Sequence, residues 1–303
     1  MTAPLPTRDG VGPSVVALPP GNWPTIASFL LQRFPAVPAA TWAARIGRGE
    51  VVDQHGEPVS AERPYQARLK VWYYRSVDCE PRLAAVETVL FQNAHFVVAD
   101  KPHFLPVIPG GRHLQETLLV RLKRRLGIDA LVPLHRLDRE TAGLVLFSAE
   151  PATRGLYQAL FRERRVAKVY EAIAPWRAAL APSFVHRSRI ARGDHFMQMR
   201  EMPGEPNAQT RFELIERIGA LARWRLVPLT GRTHQLRVHC AALGMPIVGD
   251  TLYPALLPAG SDDPARPLQL LAKSLAFVDP LGGQPWEFSS GLSLSLAAVT
   301  AKL

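Results

Sequence analysis

Cysteine is scarce in this 303-residue sequence: only Cys79 and Cys240 occur. Two thiols build neither a disulfide framework nor a zinc cluster, and so sparing a use fits a reducing compartment, which makes the cytoplasm the expected location. No apolar run approaches the roughly 20 residues that a membrane helix needs, so no membrane partner is expected. Met1–Gly21 lacks a basic stretch followed by an apolar one, the pattern of a secretory signal. A phosphate-cradling glycine loop, a redox cysteine pair and a metal-ligand cluster are all missing, so neither cofactor nor metal is expected. Internal repeats and low-complexity arrays are absent too. Acidic residues fall short of basic ones, 26 against 36, which leaves a net charge of +10.

Apolar content of 47% and charged content of 20% describe an ordinary folded chain, and the length suggests about two domains. A basic surplus attracts polyanions of any kind. Most of the cations are arginine, whose planar fork grips phosphate and stacks on bases, so nucleic acid is the leading partner class.

Residues 1–22 are rich in proline, glycine and small residues and read as a flexible tail. Ile26, Phe29, Leu30 and Phe34 then fall at helical spacing behind a possible Thr25 cap, and Ala39–Ile46 repeats the pattern. A His55-Gly56-Glu57-Pro58 turn and an extended run over Ala67–Tyr74 follow, with a connector over residues 76–86. Thr88–Gln92 and His95–Asp100 read as paired strands leading into Lys101-Pro102-His103-Phe104. Leu114–Leu126 carries a helical apolar stripe opposite Arg121, Lys123, Arg124 and Arg125, a face that is either solvated or tracks phosphates. Pro151 suits the first turn of a helix that ends on Arg162, Arg164 and Arg165. Val166–Ile173 alternates as a half-buried strand, which puts Lys168 and Tyr170 on one face. Phe184–Ala191, Ala208–Ile218, Ala222–Leu229, Leu268–Val278 and Trp286–Phe288 read as further strands.

Two short apolar runs, Leu131–Leu134 and Leu144–Phe147, enclose the polar insert His135-Arg136-Leu137-Asp138-Arg139-Glu140-Thr141-Ala142-Gly143. One carboxylate lies between two arginines there, and Gly143 permits a tight turn before the next strand. Taken alone, such a segment is commonly a surface ion-pair loop. A second dense stretch is Thr230-Gly231-Arg232-Thr233-His234-Gln235-Leu236-Arg237-Val238-His239. Its strand delivers into a glycine turn, a threonine can cap, and a helix runs on to Gly244. His234 and His239 are five residues apart, off the spacing for two ligands on one helical face, and read as structural hydrogen-bonders.

These stretches resemble the motifs of the RluA-type pseudouridine synthases. The insert matches His-Arg-Leu-Asp-x-x-Thr-Ser/Ala-Gly, and residues 231–239 match Gly-Arg-Thr-His-Gln-Ile/Leu-Arg-Val-His at every position. Lys101-Pro102 matches the family's first motif, although His103-Phe104 stands where a small residue and glycine are usual. Gly249-Asp250-Thr251-Leu252-Tyr253 is another phrase of the family. The resemblance covers about Thr88–Phe288 and implies the α+β pseudouridine synthase fold, with a mixed, mainly antiparallel sheet and a central cleft. It divides the chain into the tail over 1–22, a module over 23–80 and a catalytic domain over 81–303. The module resembles a degenerate S4-type RNA-binding α/β unit; an extension packed on the main domain is the alternative.

The implied reaction converts a uridine in rRNA or tRNA to pseudouridine: the N1–C1′ bond breaks, the base rotates, and a C5–C1′ bond forms. By resemblance Asp138 is the catalytic carboxylate, Arg237 its ionic partner, and Tyr170 a proton acceptor against the base. Arg136 fills the space that the flipped uridine vacates, and unstacking that base costs a few kcal/mol. Leu137 and Leu236 are wall residues, and Lys168, Arg232, Thr233 and His234 complete the binding set. Attack at C1′ and abstraction at C2′ both remain open. A monomer is expected. The alternative is a non-catalytic RNA-binding or RNA-folding protein on the same scaffold, which the intact Asp138, Tyr170 and Arg237 disfavour.

Overall fold

A computed structural model describes residues 3–77, 79–258 and 260–300. The chain divides into two compact units, Met1–Pro81 with Pro109–Asp129, and Arg82–Ile108 with Ala130–Leu303.

The first unit holds β1 (Ser14–Ala17), α1 (Ile26–Arg33), α2 (Ala39–Gly47), β2 (Val51–Asp53), β3 (Lys70–Tyr73) and α3 (Leu118–Leu126). Thr25 caps α1 through its hydroxyl, and Ser28 returns the bond to the Thr25 backbone N–H. Phe29, Leu30 and Trp42 bury against Val51, Val71 and Tyr73 of the small sheet, whose order is β1-β3-β2. Residues 3–22 are therefore no free tail: Ser14–Ala17 pairs with β3, and the Tyr74 hydroxyl donates to Pro6 O at 2.7 Å. Met1 and Thr2 lie outside the described residues. A second correction concerns residues 109–129, which belong with this unit and not with the expected catalytic domain. The Glu80 carboxylate accepts from the backbone N–H groups of Leu114, Gln115 and Glu116, and Arg124 Nε donates to Asp9 O at 2.9 Å. The basic face of α3 is thus partly engaged within the protein: Arg121 also pairs with Glu116.

The second unit is built on one 11-stranded sheet: β4 (Thr88–Gln92), β5 (Phe96–Lys101), β6 (Val132–Pro133), β7 (Ala142–Ser148), β8 (Ala167–Pro175), β9 (Ser183–Arg192), β10 (Met199–Met202), β11 (Ala208–Ile218), β12 (Leu221–Pro228), β13 (Leu270–Val278) and β14 (Pro285–Ser289). Its main path runs β10-β9-β11-β12-β8-β13-β7-β5-β4, with β6 on β7 and β14 on β13. Every pairing is antiparallel except β13 with β7, so the sheet is mixed and mainly antiparallel, as expected. Among the described residues three helices accompany it: α4 (Arg154–Arg162), α5 (Gln235–Ala242) and α6 (Leu296–Thr300). Tyr157 and Leu160 of α4 pack on Phe96, Leu144 and Leu146, while Leu236 and Cys240 of α5 pack on Ala172, Phe212, Trp224 and Leu226. No helix among the described residues is long and apolar enough to cross a membrane.

Local details differ from expectation. Helix α4 begins at Arg154, with Pro151 in the turn before it. Gly143 makes no turn; it lies inside β7, where a Cβ would come within 2.3 Å of Ala272 O on β13. Only glycine lets the two parallel strands approach so closely. Phe104, at the position where glycine is usual, keeps a left-handed φ of 62°. The Arg139 guanidinium sits over its ring, and the neighbouring His103 Nδ1 lies 2.6 Å from Glu140 O.

Candidate active site

The insert of residues 135–141 runs between β6 and β7 and reaches the mouth of a cleft of about 1010 Å³. All ten residues singled out from the sequence line this cleft: Arg136, Leu137, Asp138, Lys168, Tyr170, Arg232, Thr233, His234, Leu236 and Arg237. The backbone makes the insert rigid. Thr141 N–H donates to Asp138 O at 3.1 Å, and the buried Lys101 ammonium donates to Pro102 O, Leu105 O and Arg139 O at 2.8–3.0 Å. Burial drags the Lys101 amine down to about 7, against the pull of Glu140 and Asp138. Three carbonyls, one for each ammonium N–H, favour the charged form.

His135 anchors the start of the insert. Its Nε2 accepts the Leu146 N–H at 3.0 Å, and its ring stacks on Phe161 with centroids 4.9 Å apart. That bond needs a free lone pair at Nε2, so the ring is neutral. Burial, then the charge of Lys168, push its pKa down to about 3.

Arg237 is the hub of the electrostatics. Its side chain is only 1% exposed, and it faces three carboxylates. Nε and Nη2 donate to the fully buried Asp250 at 2.9 and 2.6 Å, Nη1 donates to Asp138 Oδ2 at 3.2 Å, and Glu140 Oε2 stands 3.6 Å from Nη1. Burial opposes the guanidinium charge, but the hydrogen bond and charge of Asp250, then Asp138 and Glu140, outweigh it and hold the group protonated. Asp138 is 31% exposed, open to the cleft on the side away from Arg237. His234 Nε2 lies 3.6 Å from its other oxygen, while His234 Nδ1 meets the Tyr253 hydroxyl at 2.9 Å. Burial lowers the His234 pKa more than the Asp138 charge raises it. Tyr170 sits on β8 with Lys168 on the same face; burial, then Asp138, push its phenol upward, so it stays protonated.

The turn that carries Arg232, Thr233 and His234 is organised by Gln235. Its Oε1 accepts from Thr230 Oγ1 at 2.7 Å and from Arg232 N–H at 3.1 Å; its Nε2 donates to Gln209 O and Thr210 Oγ1, both at 3.0 Å. No threonine caps α5: the N-cap is His234, in a left-handed conformation with φ 54°. His239 lies away from the cleft lining, fully buried, with Nδ1 3.0 Å from Thr210 Oγ1 and Nε2 3.1 Å from Ser188 Oγ. Arg232 is exposed and donates from Nε to Asn207 O, and it lines the cleft together with Arg162, Arg164 and Arg165.

Asp250, Gln235 and Lys101 are the residues that a motif-by-motif reading left without a role. Asp250 sits in a recognisable phrase, but its importance depends on a turn: Gly249 takes φ +77°, and a Cβ there would fall 2.5 Å from Pro267 O. That turn, with Leu252 and Tyr253 N–H groups donating to Oδ1, aims the carboxylate back at α5.

Comparison with known proteins agrees with this architecture. Residues 95–242 match the family model for RNA pseudouridylate synthase. An uncharacterized RNA pseudouridine synthase of Synechocystis is 32% identical over 230 residues, covering 74% of this chain and 78% of that protein. The dual-specificity RNA pseudouridine synthase RluA of Haemophilus influenzae is 30% identical over 217 residues, covering 71% and 97%. Among solved structures, human RNA pseudouridylate synthase domain containing 1 superposes with a TM-score of 0.58 at 25% identity, covering 74% of this chain and 97% of that one.

Proposed function

The chain belongs to the RluA-type RNA pseudouridine synthases, and from that premise we propose that Asp138 performs the isomerisation on a uridine flipped out of structured rRNA or tRNA. One observation carries this reading: among the described residues, the Asp138 carboxylate alone both meets Arg237 within hydrogen-bond distance and lines the cleft. Arg237, kept charged and immobile by Asp250, fixes one Asp138 oxygen and leaves the other for the sugar or base. Tyr170 flanks the base from β8, its hydroxyl supplying a hydrogen bond or a proton relay as the base rotates. Over the reaction the uracil loses its C5 hydrogen to solvent and gains one at N1, so no cofactor is required for balance.

Arg136, exposed at the rim, is suited to enter the gap left by the flipped base. Arg162, Arg164, Arg165 and Arg232 ring the same opening and suit the phosphates on either side. The dual-specificity relative acts on more than one RNA, by its name, and the same breadth is proposed here.

Tritium release from C5-labelled, unmodified rRNA and tRNA, wild type beside Asp138→Ala, tests the proposal. Release by wild type alone supports it and identifies the RNA class. Release by both proteins would remove Asp138 from the chemistry. Failure of wild type on total unmodified cellular RNA would favour a binding protein on this scaffold.

A further inference from the structure

Strands β9 and β10 and helix α5 bring together three donor groups that are distant in sequence. His186 on β9, Glu201 on β10 and His239 on α5 each place one ligand-type atom within 4.8 Å of the other two. Glu201 Oε1 is the centre of the group: His186 Nε2 lies 2.8 Å from it and His239 Nε2 lies 3.9 Å from it. The two imidazole rings stand edge to face with centroids 4.8 Å apart.

Two imidazoles and a carboxylate are a donor set that zinc takes in many proteins, with bonds of about 2.0–2.2 Å and a fourth position left to water. Tetrahedral ligands at that length sit about 3.4 Å from one another. The observed 2.8 and 3.9 Å bracket this value and all three pairs lie within 4.8 Å, so side-chain rotation, with no backbone change, is what an ion would ask of the site. The outer support is already built. A metal-bound histidine usually donates its second N–H to a fixed acceptor. His239 Nδ1 meets Thr210 Oγ1 at 3.0 Å, and Thr210 is itself held by Gln235 Nε2 at 3.0 Å. Ser188 Oγ, 3.1 Å from His239 Nε2, flanks the open position. His239 is fully buried, whereas the side chains of His186 and Glu201 are 22% and 25% exposed, which gives an ion a way in. None of the three donors has a part in the uridine chemistry proposed above.

We propose that His186, Glu201 and His239 form a zinc site that pins β9 and β10 to α5. The site lies two residues beyond Arg237 on the same helix, and Tyr253 ties Met199 N–H of β10 to His234 through one hydroxyl. Occupancy therefore stiffens the element that carries Arg237 and leaves the reacting groups untouched.

The test is zinc titration of chelator-stripped, full-length protein against a chromophoric competitor, with cobalt as a spectroscopic substitute. Wild type should bind one zinc per chain, unfold at a higher temperature when loaded, and give the visible bands of four-coordinate cobalt. His186→Ala and Glu201→Ala, both at partly exposed positions, should fold normally without metal and bind zinc about 100-fold more weakly, the upper end of what losing even an outer partner costs. His186→Asn, which keeps a hydrogen-bond donor to Glu201, should lose zinc equally while retaining the metal-free stability. The proposal is overturned if wild type binds zinc no more tightly than these variants, or if Cys79→Ser abolishes the binding.

Discussion

Arg237 holds Asp250 with two hydrogen bonds and Asp138 with one. The Asp250 contacts are also shorter, 2.6 and 2.9 Å against 3.2 Å, and the Asp250 side chain has no solvent exposure where that of Asp138 has 31%. Asp250 is therefore the anchor and Arg237 the arm that reaches the cleft. Asp250→Asn keeps the volume but leaves the buried guanidinium short of a matching charge. Breaking such a pair typically costs about 3–5 kcal/mol. Urea denaturation should show a loss of that order, and turnover should fall with little change in KM, because Arg237 loses its fixed position. Wild-type stability and turnover in this variant would mean that Asp138 alone orients Arg237.

Asp138→Asn should behave in the opposite way. Arg237 keeps Asp250 and Glu140 as partners, so unfolding free energy should change by no more than about 1 kcal/mol, the range of a partly exposed pair. Conversion should be abolished, with RNA affinity by filter binding within a few fold of wild type. Equal loss of affinity and turnover would sink the catalytic assignment.

Tyr170→Phe separates packing from chemistry. The ring packs on the core cluster that includes Leu226 and Leu236, and phenylalanine fills the same space. Removing one hydroxyl should cost about 1 kcal/mol of stability. Turnover should drop much further, and tritium release is the readout. The raised phenol pKa adds a second check: wild-type turnover should show no fall on the alkaline side up to the ordinary tyrosine range. Full activity in Tyr170→Phe would reduce Tyr170 to a wall of the cleft.

The parts of the molecule legible in the sequence are those whose cause is local. Alternation in Val166–Ile173 put Lys168 and Tyr170 on one face, and β8 does so. The polar insert between two apolar runs became the loop before β7, and the Thr25 cap and the pairing of β4 with β5 follow from short-range pattern. What escaped depends on distant partners. Asp250 matters only because a glycine turn aims it at a helix 13 residues earlier. Gly143 is required by Ala272, 129 residues away on β13. Strand β10 has the sequence Met-Arg-Glu-Met, with no apolar alternation to betray it, and forms because Arg189–Arg192 offers it an edge. Residues 109–129 join the N-terminal unit through Glu80, a single carboxylate serving three backbone N–H groups.

Acid should destabilise the metal-free protein through two histidines, His135, partly buried, and His239, fully buried. His135 must stay neutral to accept the Leu146 N–H, and burial, then Lys168, hold its pKa near 3; burial, then His186, hold His239 near 3 as well. In the unfolded chain both titrate at about 6.5. Between these values the unfolded state binds protons that the folded state refuses, so stability is full above about pH 6.5 and declines as the pH falls toward 3. Each group contributes about 1 kcal/mol for every pH unit in that window. Thermal unfolding measured from pH 8 to pH 5 should therefore show a plateau and then a falling Tm. His135→Gln offers Leu146 N–H an acceptor that does not titrate, and its stability should fall less steeply below pH 6.5, by one proton's worth. An unchanged slope in that variant would assign the acid sensitivity to other groups.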